Sequence, residues 1–376
     1  MSKGVAGDEL GRGRATGYAV PMSVLDDPSA YQRIDAGGTR VLIRDLPRQC
    51  RAAWQEAQAL DLPPGYRDVD KVVILGMGGL VIAGDLLRSL VALESPVPVF
   101  VHRDYGLPLL VDDRTLLIAM SYSGDTEETV AAFEEGLSTG ARKLVITTSG
   151  RLLALARTNG VPAFVFDYNS TVRGALGYGL MPLLAIAGKV GIVGDKAGDV
   201  EEAAAVMEDL TGRIGEDVPL ARNPAKQLAE RLEGRLPVVY GAGILMEVAH
   251  RWKTQLNENS KLWALWEELP EAGHNAIVGF GLPPEIAARA FAVFLQAPAL
   301  HPRIRLRYEF TRRALTEAGV PSEAVDAEGE SPLAQMMSAV LFGDYVSLYL
   351  AILAGVDPSP TTIIADLKRW LAERPA

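Results

Sequence analysis

Residues 71–87 read KVVILGMGGLVIAGDLL. The run from Lys71 to Met77 is apolar and β-branched with no polar alternation, as expected of a parallel strand buried on both faces. Gly78 and Gly79 then turn the chain, and a helix is expected from about Leu80. The same unit recurs outward from here. Strands are expected over VPVFVH (97–102), TLLIAMSYS (115–123), KLVITTS (143–149) and AFVFDY (163–168). Helices are expected over Thr126–Leu137, RLLALART (151–158) and Ala175–Ala187, so strands alternate with helices and predict a doubly wound parallel sheet. Upstream, 44–60 has helical spacing, and Pro63 and Pro64 break the chain after it.

Downstream, the Ala-, Glu- and Lys-rich stretch 195–233 predicts long helices. A strand LPVVYGAG (236–243) followed by a helix ILMEVAHRWKTQLNE (244–258) then echoes the unit at 71–90. Further strands are expected at AIVGFG (276–281) and IRLRYE (304–309), and helices over 332–354 and near 361–372. The pattern is that of a duplicated α/β unit with its break near 190–235. The expected divisions are a flexible N-terminal tail (1–34), a first unit with its N-terminal helix (35–192), and a helical connection, second unit and C-terminal helix (193–376).

The 376 residues are 48% hydrophobic and 22% charged, enough to build a sizeable core. A net charge of −10 argues against non-specific nucleic-acid binding, which needs a basic footprint. The lone Cys50 excludes an intramolecular disulfide and a four-cysteine zinc site. His102, His250, His274 and His301 fall in no metal-ligand spacing, so no metal is expected. The apolar stretch Leu176–Val193 carries Lys189 and reads as a buried helix and strand rather than a membrane span. Residues 1–17 lack the apolar core of a signal peptide, and the cytoplasm is the expected location.

The sharpest motif is Ser121-Tyr122-Ser123-Gly124-Asp125-Thr126, where a parallel strand meets a helix. Ligands bind beyond the carboxyl ends of such strands, and a helix N-terminus offers N–H groups and a positive dipole end to a phosphate. Ser121, Ser123 and Thr126 add hydroxyls, and Gly124 permits close backbone approach. The alternative is a plain strand-to-helix turn with Ser/Thr capping and Glu127 in a capping box. The Gly76-Met77-Gly78-Gly79 turn lacks the third glycine of a dinucleotide fingerprint, having Val81 there, so a nicotinamide cofactor is not expected. Glu258, between Asn257 and Asn259, fits a carboxylate base of fixed geometry, or alternatively a helix C-terminal turn capped by Asn259. His274, in a turn before an expected strand, fits a proton carrier for a sugar ring oxygen.

With these pieces together the sequence resembles the archaeal and bacterial bifunctional phosphoglucose/phosphomannose isomerases. The matching stretches are GMGG (76–79), GDLL (84–87), SYSGDTEET (121–129), TSG (148–150) and ALGYGL (175–180). They continue with RWKTQLNENSK (251–261), ELPEAGHN (268–275) and DP through TTIIADLK (357–368). The resemblance spans about residues 35–370 and implies two sugar-isomerase (SIS) subdomains, each a flavodoxin-like α/β sandwich. It implies that Ser121, Ser123 and Thr126 hold the 6-phosphate beside Gly78 and Gly79, and that Glu258 moves a proton between C1 and C2. Arg173 would stabilise the enediolate, His274 would assist ring opening from a partner subunit, and Lys368 would lie near the ring oxygen. Thr361 would be the small residue near C1 and C2 that leaves room for both epimers.

A cis-enediol isomerisation needs a base, a cation near the developing oxyanion and an acid, and requires no cofactor. The implied activity interconverts glucose 6-phosphate and mannose 6-phosphate with fructose 6-phosphate in a homodimer. One departure bears on it. Leu80 stands where the family turn has serine, which removes a hydroxyl and is expected to set an apolar side chain near the phosphate. It motivates two alternatives, a sugar-phosphate-binding protein with weak or no catalysis and an isomerase of a different phosphosugar.

Overall fold

The computed structural model describes Met1 and residues 23–374. Three helices, α1 (Pro28–Ile34), α2 (Thr39–Arg44) and α3 (Leu46–Gln58), lead into the first sheet. That sheet and its helices follow as β1 (Lys71–Gly76), α4 (Gly78–Val91), β2 (Val99–His102), β3 (Thr115–Ser121), α5 (Glu127–Leu137), β4 (Arg142–Thr147), α6 (Gly150–Thr158), β5 (Ala163–Val165) and α7 (Leu176–Lys189). The strands are all parallel, in the order β2-β1-β3-β4-β5. Two helices, α8 (Ala197–Ile214) and α9 (Pro224–Leu232), connect to the second sheet. It comprises β6 (Leu236–Ala242), α10 (Met246–Glu258), β7 (Leu265–Leu269), α11 (Pro284–Ala287), β8 (Ala290–Gln296), α12 (Pro302–Glu317) and β9 (Ser322–Asp326), with strand order β7-β6-β8-β9, again parallel. The chain closes with α13 (Pro332–Ala354) and α14 (Thr362–Ala372).

The apolar run in β1 is explained by its two faces. Val72 and Ile74 join a core that continues through α3, α4, α7, α8, α10 and α13 to the second sheet, whereas Val73 and Leu75 join a separate cluster with Val130 and Phe133 of α5 and Leu152 of α6. Strand residues alternate between faces, and both faces here are covered by helices. The helical layer between the two sheets is held by apolar packing with buried polar networks inside it. On α13 the Asp344 carboxylate accepts a hydrogen bond from Arg251 Nη2 of α10 at 2.7 Å and one from Gln255 Nε2 at 2.9 Å. Burial pushes the Asp344 carboxyl above the usual carboxylate range, and the Arg251 charge opposes that rise.

Helix α13 is long and apolar enough to cross a membrane, with mean hydropathy 1.7, but 89% of that window is buried inside the protein. It is the central core helix, and Leu176–Lys189 is likewise a buried helix. Residues 190–193 form a turn there rather than the expected strand.

Four further sequence expectations differ. Residues 304–309 lie in α12, not in a strand. His301 Nδ1 accepts from Arg303 N, Pro302 fills the first turn, and the buried face runs Tyr308, Thr311, Leu315 at helical spacing. The alternation of apolar and arginine residues over 304–309 imitates a strand locally. Residues 276–279 form a 3-10 turn whose start is capped by the Asn275 side chain, so the expected strand over 276–281 is absent. Strands β7, β8 and β9 lie outside the sequence expectations. Two of them are short and charged, and β6 and β8 give them their hydrogen-bond partners. Finally, the flexible tail expected over 1–34 does not cover residues 24–34. Leu25 is fully buried, Tyr31 donates its hydroxyl to Leu25 O at 2.9 Å, and Asp26 pairs with Lys226 at 3.0 Å. The remainder of that expectation, residues 2–22, lies outside the described residues.

The Arg251–Asp344 pair tests the central layer. Removing one partner of a buried pair leaves an uncompensated charge, so Arg251→Met is expected to cost about 3–5 kcal/mol in urea unfolding. The double variant Arg251→Met, Asp344→Leu is expected to recover most of that loss.

Candidate active site

The turn after β3 is built from its own hydroxyls. Ser121 Oγ accepts from Gly124 N at 3.0 Å and shares a hydrogen bond with Thr126 Oγ1 at 2.8 Å. Asp125 N donates to Ser123 Oγ at 3.3 Å. Thr126 occupies the N-cap of α5 but makes no side-chain cap hydrogen bond. The capping role that is the alternative for this motif is therefore not what Thr126 does. The first N–H groups of α5 and the hydroxyls of Ser123 and Thr126 stand together at the carboxyl end of the sheet, an arrangement suited to an anion. Gly124 is obligatory: its φ is +75°, and a Cβ there would lie 1.8 Å from Ser149 O.

This turn is tied to the next functional segment. The Tyr122 hydroxyl donates to Tyr168 O at 2.5 Å and accepts from Ser170 N at 3.0 Å. That fixes the approach to Arg173, which sits in a 3-10 turn over Val172–Gly174. Gly78 and Gly79 open α4, and a Cβ on Gly79 would lie 2.9 Å from Arg173 Cα. Gly79 is thus the place where the first glycine turn and the Arg173 backbone touch, which any larger residue would push apart.

The Arg173 side chain is only 5% exposed. Its Nε donates to Asn259 Oδ1 at 2.6 Å, and its Nη2 donates to Pro358 O at 2.5 Å and Ser359 O at 3.0 Å. Nη1 lies 3.3 Å from Glu258 Oε2. A guanidinium has five N–H donors, so one Nη1 N–H is left for another acceptor. Burial lowers the affinity of Arg173 for its proton, and Glu258 counteracts that effect. Glu258, the last residue of α10, keeps a quarter of its side chain exposed, so its carboxylate is both oriented and accessible.

Asn259 is the C-cap of α10, with αR rather than left-handed backbone angles and its N–H donating to Gln255 O at 2.8 Å, but that cap leaves its side chain unused. Its side chain instead bridges Arg173 and the Ser347 hydroxyl of α13, donating to Ser347 Oγ at 2.9 Å. The left-handed residue is Lys261, at φ +55°. A non-glycine residue there carries a strain of roughly 1–2 kcal/mol.

The structure brings Arg173, Glu258 and the segment leading to Thr361 together. His274 ends a 3-10 turn over Glu271–His274 and is exposed, and Lys368 is exposed on α14. Among the described residues neither forms a hydrogen bond or ion pair with Arg173 or Glu258. Helix α14 buries none of its residues, leaving Ile363, Leu367 and Trp370 exposed.

The Leu80 side chain is 1% exposed and sits in the core against α7, where Gly179 faces it. Asp344, Ser347 and Asn259 form a supporting network that the sequence reading misses. The available signal is a lone aspartate inside the apolar run 332–354, since a buried carboxylate requires a partner.

Comparison with known proteins places this geometry. The family model described as a bacterial phospho-glucose isomerase C-terminal SIS domain matches residues 221–371. A bifunctional phosphoglucose/phosphomannose isomerase of Caldicellulosiruptor bescii is 40% identical over 334 residues, covering 88% of this chain and 98% of that protein. The protein of the same name from Aquifex aeolicus is 34% identical over 319 residues, covering 85% and 94%. Among solved structures, a glucose-6-phosphate isomerase like protein from Thermus thermophilus superposes with a TM-score of 0.60 at 21% identity, covering 93% of this chain and 99% of that one. At that identity it speaks for the fold alone.

The position of Leu80 gives a direct test. Replacing a buried leucine by a small residue costs about 2–5 kcal/mol. Leu80→Ser is expected to lower stability by that order in denaturant unfolding and to leave phosphate-ester affinity unimproved in calorimetric titration.

Proposed function

The chain belongs to the bifunctional phosphoglucose/phosphomannose isomerase family, and from that premise we propose how it interconverts glucose 6-phosphate and mannose 6-phosphate with fructose 6-phosphate. It is an aldose–ketose isomerase built on two SIS subdomains, which we divide at residues 35–192 and 193–376. The observation that carries the catalytic reading is the Glu258 carboxylate, accessible and held 3.3 Å from the buried Arg173 guanidinium.

In this reading the phosphate rests on the N-terminus of α5, with Ser121, Ser123 and Thr126 around it and the Gly78-Gly79 turn alongside. Ser121 and Thr126 share a hydrogen bond inside the turn, so Ser123, whose oxygen only accepts from Asp125 N, is the hydroxyl freest to donate. Glu258 takes the proton from C2 of the aldose and returns it to C1 of the enediol. The ketose forms as the C1–C2 π pair takes up that proton at C1, the O2–H pair becomes the π bond of the C2 carbonyl, and the O2 hydroxyl proton passes to O1. Arg173 has two parts to play: it fixes Glu258, and its remaining Nη1 N–H and charge offset the negative oxygen of the enediolate. Lys368 and His274 serve ring opening, moving the proton between the ring oxygen and the anomeric hydroxyl. Thr361 borders C1 and C2 and admits both C2 epimers.

His274 and Lys368 are exposed in the single chain, which supports a homodimer in which His274 completes the partner's site. Exposed apolar residues on either side of His274 in the sequence, among them Trp263, Val278 and Leu282, support the same reading. The lone cysteine, Cys50, is buried, in keeping with a cytoplasmic enzyme. The scheme consists of proton transfers only and calls for no cofactor. The non-catalytic reading draws on Leu80 in place of a turn serine, and the packing of that side chain into the core against α7 favours the catalytic one.

A coupled assay with purified protein is expected to convert fructose 6-phosphate to both aldose phosphates. Glu258→Gln is expected to lower kcat by about 10²–10⁴-fold with little change in KM, the scale of a general base. Retention of full activity in that variant overturns the assignment of the base. Light scattering is expected to give about twice the 40.3 kDa chain mass, and an active monomer overturns the shared site.

A further inference from the structure

One charged side chain beside Glu258 has no part in the reaction as described. The ammonium of Lys261 donates to three carbonyls, those of Glu258, Pro358 (3.2 Å) and Pro360 (2.7 Å). An ammonium has three N–H donors, so each is used. Lys261 is also the only non-glycine residue at positive φ among the described residues. A solvated surface lysine requires neither a left-handed backbone nor three fixed acceptors, and holding such a flexible side chain in one place has an entropy cost.

The acceptors are specific. Glu258 O is the last carbonyl of α10 and belongs to the proposed carbon base. Pro358 O is shared with Arg173 Nη2, and Pro360 is the residue directly before Thr361. Residues 357–360 include two prolines, which have no N–H to donate. This segment is held instead through Ser359 N to Asp357 Oδ1 at 2.9 Å, Ser359 Oγ to Thr39 Oγ1 at 3.0 Å, and its carbonyls on Arg173 and Lys261. Of those two cations only Lys261 joins the segment to the backbone of Glu258. Burial lowers the proton affinity of Lys261 and the nearby Arg173 charge adds to that, while Asp357 and Glu258 favour its charged form.

We infer that Lys261 is a positioning residue: its ammonium fastens the Glu258 end of α10 to the segment that carries Thr361, and so sets the distance between the base and the pocket around C1 and C2. The inference rests on the isomerase reading and adds to it a determinant of epimer balance. Glucose and mannose 6-phosphates differ only at C2, so a shift of Thr361 relative to Glu258 affects the two unequally.

The test combines hydrogen–deuterium exchange over residues 356–366 with steady-state rates on all three hexose phosphates. It uses Lys261→Met, Lys261→Arg and Lys261→Gly beside Glu258→Gln. In Lys261→Met, exchange over that peptide is expected to rise about tenfold while peptides from β1 and β6 stay as in the wild type. Its kcat is expected to fall about tenfold or more with KM changed less than about threefold, and the mannose-to-glucose rate ratio to move about threefold. Lys261→Arg, which keeps the charge, is expected to recover part of both effects. Lys261→Gly, which relieves the backbone but has no ammonium, is expected to behave like Lys261→Met. Wild-type behaviour of Lys261→Gly, or unchanged exchange in Lys261→Met, overturns the inference whatever the rates are. Raised exchange with unchanged kcat and ratio also overturns it, leaving the isomerase reading standing if Glu258→Gln is inactive. A wild-type protein that converts none of the three sugars overturns the isomerase reading and with it any effect on epimer balance. The exchange result then decides separately whether Lys261 holds the segment.

Discussion

A single buried cation, Arg173, links the parts from which the site is made. It comes from the turn before α7, behind the first sheet, and reaches the end of α10, behind the second. It also holds the carbonyls of 358 and 359, ahead of α14. A guanidinium so far from water is tolerable only if most of its donors are met, and here a carboxylate, a side-chain amide and two carbonyls meet four of the five. The same requirement makes the geometry of Glu258 hard to vary. Moving the carboxylate away leaves the guanidinium without its counter-charge.

The surroundings of Arg173 obey the same logic. Asn259 accepts from it and passes the constraint to Ser347 on α13. One helical turn from Ser347, Asp344 anchors Arg251 and Gln255 of α10. Polar side chains inside an otherwise apolar helical layer are costly singly, and they persist here because each has a partner. The result is a rigid α10 whose C-terminal end presents Glu258. On the opposite side the hydroxyl turn after β3 is closed by its own side chains, and Tyr122 and Gly79 set its relation to Arg173. The hydroxyl turn and Glu258 are thus joined through one short segment, residues 168–174.

How much of this is legible in the sequence differs by element. The buried parallel strands of the first sheet declare themselves because both faces are covered, which makes β1 and β3 almost wholly apolar. In the second sheet the edge strands β7 and β9 carry charges and only five residues each, and their state follows from pairing to β6 and β8. Residues 304–309 imitate a strand over six residues, and only the longer spacing of Tyr308, Thr311 and Leu315 shows the helix. The packing of Leu80 is hidden from the sequence for a related reason. Its position next to Gly79 is fixed by the chain, but the direction of its side chain depends on how α4 rotates against α7. The site residues are readable where a motif is contiguous, as in 121–126 and 257–261. The partners of Arg173 at 258–259 and 358–359 lie more than eighty residues away and leave no local trace.

The sequence by itself determined the layered α/β architecture, its duplication, the hydroxyl turn and a carboxylate flanked by amides, because each of these is written in neighbouring residues whose backbone and burial preferences agree. Only the tertiary structure decided which side chains meet Arg173, that the Asn259 side chain bridges Arg173 and Ser347, that Leu80 lies in the core, and that residues 24–26 and 28–34 form packed helical turns. Those outcomes depend on hydrogen-bond and packing partners contributed by distant parts of the chain. Local propensity has no information about them until the two sheets close on the helical layer between them.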